Sequence, residues 1–287
     1  MPKKRKHKNL KPPGKCIFCN EGDLSHEEIY AEWLQRELPR TGDMTKHSTR
    51  MWIGSLQLSE KIRKITGPPL VRRLRVVCKT CNNGWMSRLQ TKAKPILLPL
   101  VLGNWSEIGE AHQEILATWA VMTTMVFERA DPGTDAHTFE DRKTFKENNT
   151  PPRGWTIWAG KINSVEWSDQ IDHWGLSASM HDRTNFSVPA ATQCNFQSTS
   201  IGIGSFVFHT ISAPYFLEMN TYPTLVDQFA STHGLRVIWP PRGSIHGPPR
   251  TLSSSEIKAM STAIIAHLYK VNGLIPPKAL NRNSAER

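Results

Sequence analysis

The sequence predicts an α+β protein with an N-terminal zinc module, then a long helix, then a mainly antiparallel β region closed by a final helix. Three observations predict it. Cysteines occur as two C-x-x-C pairs in the first third of the chain, Cys16/Cys19 and Cys78/Cys81. Apolar residues between Gly103 and Arg129 recur at helical spacing. From Trp155 to Trp239, short β-prone runs are separated by Gly, Ser, Asn and Pro. With 287 residues, 38% of them hydrophobic, the chain can build the core of one large or two small domains.

Residues 1–15 combine Lys, Arg and His with the break Pro12-Pro13-Gly14, too little apolar surface to fold alone, and are expected to be a mobile basic arm. The string from Pro2 to Lys6 also resembles a nuclear-import address. Residues 16–102 form the zinc module. Its first knuckle leads to a short helix carrying Ile29, Trp33, Leu34 and Leu38, stopped by Pro39 and Gly42. A mixed connection follows, then a strand over Leu70 to Val77, the second knuckle, and a helical face with Trp85, Met86 and Leu89.

A core helix is expected over 103–130, with Ile108, Ile115, Leu116, Trp119, Met122, Met125 and Val126 along one broad stripe. The stretch from Asp131-Pro132-Gly133 to Pro151-Pro152 reads as a turn-rich connection with a soft domain boundary. Residues 151–273 form an α+β C-terminal domain, with strands around Trp155–Trp158, Ile201–Thr210 and Leu235–Trp239. The opening Ser253-Ser254-Ser255-Glu256 starts a last helix through about Tyr269, with Ile257, Met260, Ile264 and Leu268 at its core positions.

Lys and Arg number 36 against 25 for Asp and Glu, a formal charge of +11. The resulting pI of 9.6 favours a polyanionic partner, nucleic acid first, with a merely soluble basic protein as the alternative. No run approaches the ~18 apolar residues of a membrane span, and no apolar segment follows the basic start as in a secretory signal. A cytoplasmic or nucleoid location is expected, or a nuclear one in a eukaryotic host. Two paired C-x-x-C spacings suit a metal better than a disulfide framework. Four thiolates suit the tetrahedral preference of zinc, and a closed four-sulfur site is structural because no position is left for water. Cys194 stands apart as an ordinary buried thiol. Gly202-Ile203-Gly204 lacks the third glycine and following helix of a nucleotide loop.

Three strings stand in a telling order: Cys16-x-x-Cys19, Leu24-Ser25-His26-Glu27-Glu28-Ile29-Tyr30-Ala31-Glu32-Trp33-Leu34, and Val77-Cys78-Lys79-Thr80-Cys81-Asn82-Asn83-Gly84-Trp85-Met86. Together they resemble the zinc-containing HNH endonucleases over roughly the first third of the chain. The resemblance implies a ββα-metal fold, a structural zinc beside a catalytic divalent ion such as Mg²⁺, hydrolysis of DNA phosphodiesters, and a phage or prokaryotic setting. It puts Glu27 at the acidic, ion-holding position and Asn82 or Asn83 at the amide position. Glu28 stands where the family has its catalytic His, and Ala31 where it has Pro.

An ordinary Glu, with a pKa of about 4.3, is a weaker base near neutrality than a His at about 6.5. His26 lies two positions before Glu28 and shares its face if the segment is extended. The residues implied for catalysis are therefore His26, Glu27, Glu28, Asn82 and Asn83, and the alternative is a catalytically silent, zinc-stabilised nucleic-acid-binding protein. Glu27, Glu28 and Glu32 equally fit a solvated acidic face at a helix N-terminus. Asn82, Asn83 and Gly84 equally fit the end of a knuckle. Arg72, Arg73, Arg75, Lys79 and Arg88, interleaved with Trp85, form either a phosphate-binding surface or a charge-protected strand edge.

Overall fold

The computed structural model describes residues 14–28, 30–38, 44–53, 56–66, 73–163, 171–177, 179–181, 185–187, 194–212, 222–247, 249–253, 255–257 and 259–260. The fold is mixed α+β. Its first part contains β1 (Leu24–Glu28), α1 (Glu32–Glu37), the β2 (Met44–Ile53) and β3 (Leu56–Thr66) hairpin, and β4 (Arg73–Cys78). Strands β1 and β4 pair antiparallel, Leu24 opposite Cys78 and Glu28 opposite Arg73, with an irregularity between Ser25 and Glu27. From β4 the chain turns into α2 (Lys79–Cys81), a π-turn over Asn82–Met86 kinked at Gly84, and α3 (Ser87–Val101).

The remaining helices are α4 (Glu110–Glu128), α5 (Phe139–Asn148) and α6 (Tyr222–His233). The remaining strands are β5 (Trp155–Ile162), β6 (Ile171–Ser177), β7 (Ser179–His181), β8 (Asn185–Ser187), β9 (Phe196–Ile203), β10 (Phe206–Ser212), β11 (Arg236–Trp239) and β12 (Thr251–Leu252). An eight-stranded sheet runs in the order β11-β5-β10-β9-β6-β2-β3, with β12 beside β5. It is antiparallel except where β2 meets β6 and β12 meets β5. Among the described residues no helix is long and apolar enough to cross a membrane.

Several elements depart from the sequence reading. The stretch 44–66, expected as a mixed connection, is a ribbon whose strand β2 extends the C-terminal sheet by pairing with β6. The long helix starts at Glu110, because Gly103 turns with φ +85° and Ile108 instead forms a β-bridge to Ile245. Positive φ costs glycine little, so a helix cannot pass smoothly through that position. Ile201 to Thr210 is two strands turning at Gly204, φ +55°, where an added Cβ would lie 2.6 Å from the Val101 carbonyl oxygen. The region expected to be only sheet also holds α6, with Val226 and Phe229 buried. Ser253 and Glu256 do form a capping box, each accepting from the other's backbone N–H at 3.4 and 2.8 Å. The basic arm through residue 13 and the final helix beyond residue 260 lie outside the described residues.

Helix α4 is buried nearly all round from Leu116 to Glu128, so it is a core element rather than an amphipathic surface helix. Trp119 packs with a tilted ring against Phe208 of β10 at 5.6 Å, and Thr124 meets Thr210 at 3.3 Å. One hydrophobic cluster runs from the Cys16 knuckle through α3 and α4 to Ile245.

The stretch after α4, expected to be a connection, is held by a buried ionic cluster. Fully buried Glu128 accepts from His137 Nδ1 at 2.9 Å, Arg142 Nη2 at 3.0 Å and the Ala136 N–H at 3.3 Å. Asp135 receives Arg129 at 2.5 Å and also Arg142. Burial would raise the Glu128 carboxyl, but the charge and hydrogen bond of His137, with Arg142, outweigh it and hold the group at about 2. Burial and Glu128 raise Asp135. Buried Cys194 touches the Gly133 carbonyl at 3.6 Å, and burial pushes its thiol up to about 12.

Candidate metal centre and adjoining cleft

The first knuckle is closed by its own backbone. Asn20 donates to the Cys16 carbonyl at 2.9 Å, the Cys16 N–H donates to Glu21 at 2.8 Å, and Asn20 and Asp23 adopt positive φ. The Ile17 N–H bonds the Val76 carbonyl of β4 at 3.0 Å and the Lys79 N–H bonds Asp23 at 3.2 Å, which brings the two knuckles together. Cys78 caps α2, its sulfur accepting the Cys81 N–H at 3.4 Å. Phe18, fully buried, anchors the knuckle edge-on to Trp85 at 5.0 Å and against Phe145 at 6.4 Å.

The ligand atoms of Cys16, Cys19, Cys78 and Cys81 lie within 4.8 Å of one another, Cys19 being 3.5 Å from Cys78 and 3.6 Å from Cys81. Zinc–sulfur bonds of about 2.3 Å in a tetrahedron place sulfurs about 3.8 Å apart, so the cluster fits one zinc ion. Three of the four are buried, and no carboxylate or imidazole belongs to the cluster. The hydrogen bond from Cys81 holds the Cys16 thiol far below its ordinary range, while the same contact raises Cys81. Burial likewise raises Cys19, so one thiolate, at Cys16, is favoured, and a bound cation would be what stabilises further deprotonation.

Beside the cluster, β1, α1, β4, the π-turn and α3 enclose a cleft of about 760 Å³. His26, Asn82, Asn83 and Arg73, which come from separate parts of the sequence, all line it. His26 reaches it from the irregularity in β1 and is exposed. Asn82 is fixed by a relay. Ser25 Oγ donates its single proton to the Val77 carbonyl at 3.2 Å, so it can only accept from Asn82 Nδ2, at 3.1 Å. This contact uses one of the two amide hydrogens and assigns the orientation of the amide, leaving the Asn82 carbonyl oxygen as an acceptor for a ligand.

Glu27 and Glu28 lie on strand β1, registered opposite Leu74 and Arg73, so the helix-N-terminus reading holds only for Glu32, which opens α1. Among the cations singled out from sequence, Arg73 lines the cleft. Arg75 bonds the Leu24 carbonyl at 3.2 Å, Lys79 pairs with Asp23 at 3.2 Å, and Arg88 is exposed on α3 away from the cleft lining. Arg72 lies outside the described residues.

Sequence reasoning missed Ser25, Arg36, Trp33 and Lys94. Arg36 pairs with Glu32 at 2.8 Å, and Lys94 bonds Glu37 at 3.4 Å while lying 5.5 Å from the Trp33 ring centre. Arg36 carried a signal, the i,i+4 spacing from Glu32. Lys94 carried none, because only the packing of α3 beside α1 brings it to the cleft. Comparison with known proteins yields no match: no family model fits this chain, and neither a curated protein nor a solved structure is similar to it at a significant level.

Proposed function

We propose that the chain is an HNH-like, metal-dependent endonuclease that hydrolyses DNA phosphodiester bonds in this cleft, with a structural zinc at the four cysteines. The observation that carries the reading is the meeting of His26, Asn82, Asn83 and Arg73 in one cleft against the cysteine cluster. The antiparallel strands β1 and β4, separated in sequence by α1 and the ribbon, and helix α3 frame it.

His26 takes the proton from the attacking water, and Arg73 receives the phosphate. The Asn82 carbonyl oxygen, oriented by the Ser25 contact, would offer a hard oxygen donor of the kind Mg²⁺ prefers, and the family resemblance assigns the acidic, ion-holding position to Glu27. An ion held there supplies neutralisation of the charge that develops on the phosphate. Glu28 favours a second reading, a silent nucleic-acid-binding protein. It occupies the family's His position and is registered across from Arg73, where opposite charges suit strand pairing.

Plasmid nicking by the zinc-loaded chain, with Mg²⁺ or Mn²⁺ against chelator, separates the two. The nuclease reading expects ion-dependent nicking that falls about 10²–10⁴-fold in His26→Ala and is lost in Glu27→Ala. Retarded DNA without nicking, together with activity appearing in Glu28→His, establishes the silent binder. Absence of both nicking and retardation refutes both.

A further inference from the structure

We propose, resting on the reading of the cleft as a phosphodiester site, that the wall built by α1 and α3 is a nucleotide subsite and that the DNA entering it is an unpaired strand. The reaction described above uses His26, Asn82 and Arg73. It leaves the residues of α1 and α3 that line the same cleft without a task.

Helix α3 carries two stripes. Leu89, Ala93, Leu97, Leu100 and Val101 are buried and belong to the hydrophobic cluster that continues into α4. Ser87, Gln90, Thr91, Lys94, Pro95 and Leu98 recur at spacings of three and four and line the cleft. From Ser87 to Leu98 this second stripe extends about 16 Å along the helix. It changes character along its length. The first half is polar, and the side chain of Gln90, like that of Asn83 nearby in sequence, has no hydrogen-bond partner among the described residues. The second half ends in Pro95 and Leu98, and Ala31 and Trp33, from the start of α1, add further apolar lining.

Lys94 stands between the halves. Its Nζ lies 5.5 Å from the centre of the Trp33 ring and 3.4 Å from Glu37, so a long side chain is held at the cleft. The pair with Glu37 is partly exposed, and such pairs contribute little, so Lys94 can exchange Glu37 for a phosphate at small cost.

A solvated helix face accounts for Gln90, Thr91 and Lys94, but not for partly exposed Trp33 and Leu98 in the same cleft. A duplex backbone has use for the cations and none for the apolar lining, because its bases are stacked and paired inside. An unpaired strand offers base faces to apolar and aromatic side chains and base edges to amides. The cleft, at about 760 Å³, falls within the roughly 300–1,000 Å³ of pockets that enclose small ligands, the scale of a nucleotide rather than of a duplex. A strand whose scissile phosphate lies at Arg73 then runs along α3, with a neighbouring phosphate at Lys94 and a base against Trp33 and Leu98.

The test is binding of the full zinc-loaded chain, without added Mg²⁺, to three fluorescent DNA probes of one sequence: a single strand, its duplex, and the duplex with an unpaired central tract. The single strand and the interrupted duplex should bind at least about tenfold more tightly than the intact duplex. Lys94→Ala should flatten the slope of log affinity against log salt for the single strand by about 0.7, the value for one phosphate, and Lys94→Arg should keep it. Leu98→Asn should weaken single-strand binding about threefold to tenfold with the slope unchanged, because it removes apolar contact and no charge. Zinc content and melting temperature should stay those of the parent. Where a variant folds poorly, the three probes on the unmodified chain decide alone.

An intact duplex bound as tightly as the single strand overturns the proposal, and so do unchanged single-strand affinities in both folded variants. The cleavage reading fails separately. Single-strand preference that depends on Lys94 and Leu98, with no nicking under any divalent ion, keeps the subsite and removes the nuclease, whereas nicking without that preference does the reverse.

Discussion

The four-cysteine cluster and the Glu128 cluster both adjoin α5 and are built in opposite ways. Arg142 of α5 enters the ionic cluster, while Phe145, one turn on, packs on Trp85 at 5.7 Å and on Phe18 beside the cysteines. The cysteine cluster joins knuckles about sixty residues apart and has the geometry to be completed by a cation from solution. The Glu128 cluster joins residues within fourteen positions and is neutralised by its own arginines and histidine. Close assembly of like groups needs an external ligand, whereas assembly of unlike groups supplies its own. The first can therefore be dismantled by chelation and the second by protonation.

Removal of one sulfur is expected to have the largest effect. Cys78→Ser should lose the zinc and unfold the knuckles, because structural zinc sites contribute apparent binding energies of about 10–16 kcal/mol. Metal analysis and thermal unfolding, repeated with a chelator on the unmodified chain, check this. A variant that melts like the parent would show that packing of Phe18 and Trp85 suffices and would erase the contrast.

Glu128→Ala comes next. It takes the shared carboxylate from His137 and Arg142 and leaves Arg142 only Asp135, and breaking a buried pair typically costs about 3–5 kcal/mol in denaturant unfolding. Its zinc content should be unaffected, since the ligands stand on other elements. Joint loss of zinc and stability would make the two clusters one cooperative unit.

Acid should act in two stages, first at buried histidines of the sheet and then at the ionic cluster. Burial lowers His173, and burial with nearby His233 lowers His209 to about 3. A lowered histidine contributes stability that is complete above its unfolded value of 6.5 and lost as pH falls through that range. Glu128, lowered to about 2, contributes stability that is complete above 4.5 and lost as pH falls towards 2. Raised Asp135 has the opposite sign and partly offsets this second stage. Unfolding free energy measured from neutral pH downwards should decline first below about 6.5, and His209→Phe should remove much of that first decline.

The smallest effect is expected from Lys79→Ala. The Lys79–Asp23 pair is exposed, and such pairs contribute at most about 1 kcal/mol. A loss comparable to that of Glu128→Ala would mean that the knuckle depends on surface charge, against the contrast of buried and exposed pairs.

How much was legible in the sequence follows from the chemistry of each part. Cysteine pairs are readable because few other arrangements keep four thiols at that spacing, and the sulfurs do converge. The strand before Cys78, the helix after Cys81 and the Ser253 capping box are local patterns, and local hydrogen bonding enforces them. Glu128, His137, Asp135 and Arg142 gave no comparable signal, since the same residue types are ordinary on a surface and only burial turns them into a cluster. The ribbon was invisible as part of the sheet, because pairing of β2 with β6 joins residues more than 120 positions apart.

The sequence by itself determined the ligand set, the basic character and the mainly antiparallel second half, because each depends on residue identity or short-range period. Tertiary structure alone decided which candidates meet. His26 is brought into one cleft with Asn82 by the irregular β1–β4 pairing, Lys94 reaches the cleft through the packing of α3, and Arg88 does not line it. The physical reason is that these contacts are set by strand register and helix packing, which join distant segments of the chain and leave no mark in the spacing of nearby residues.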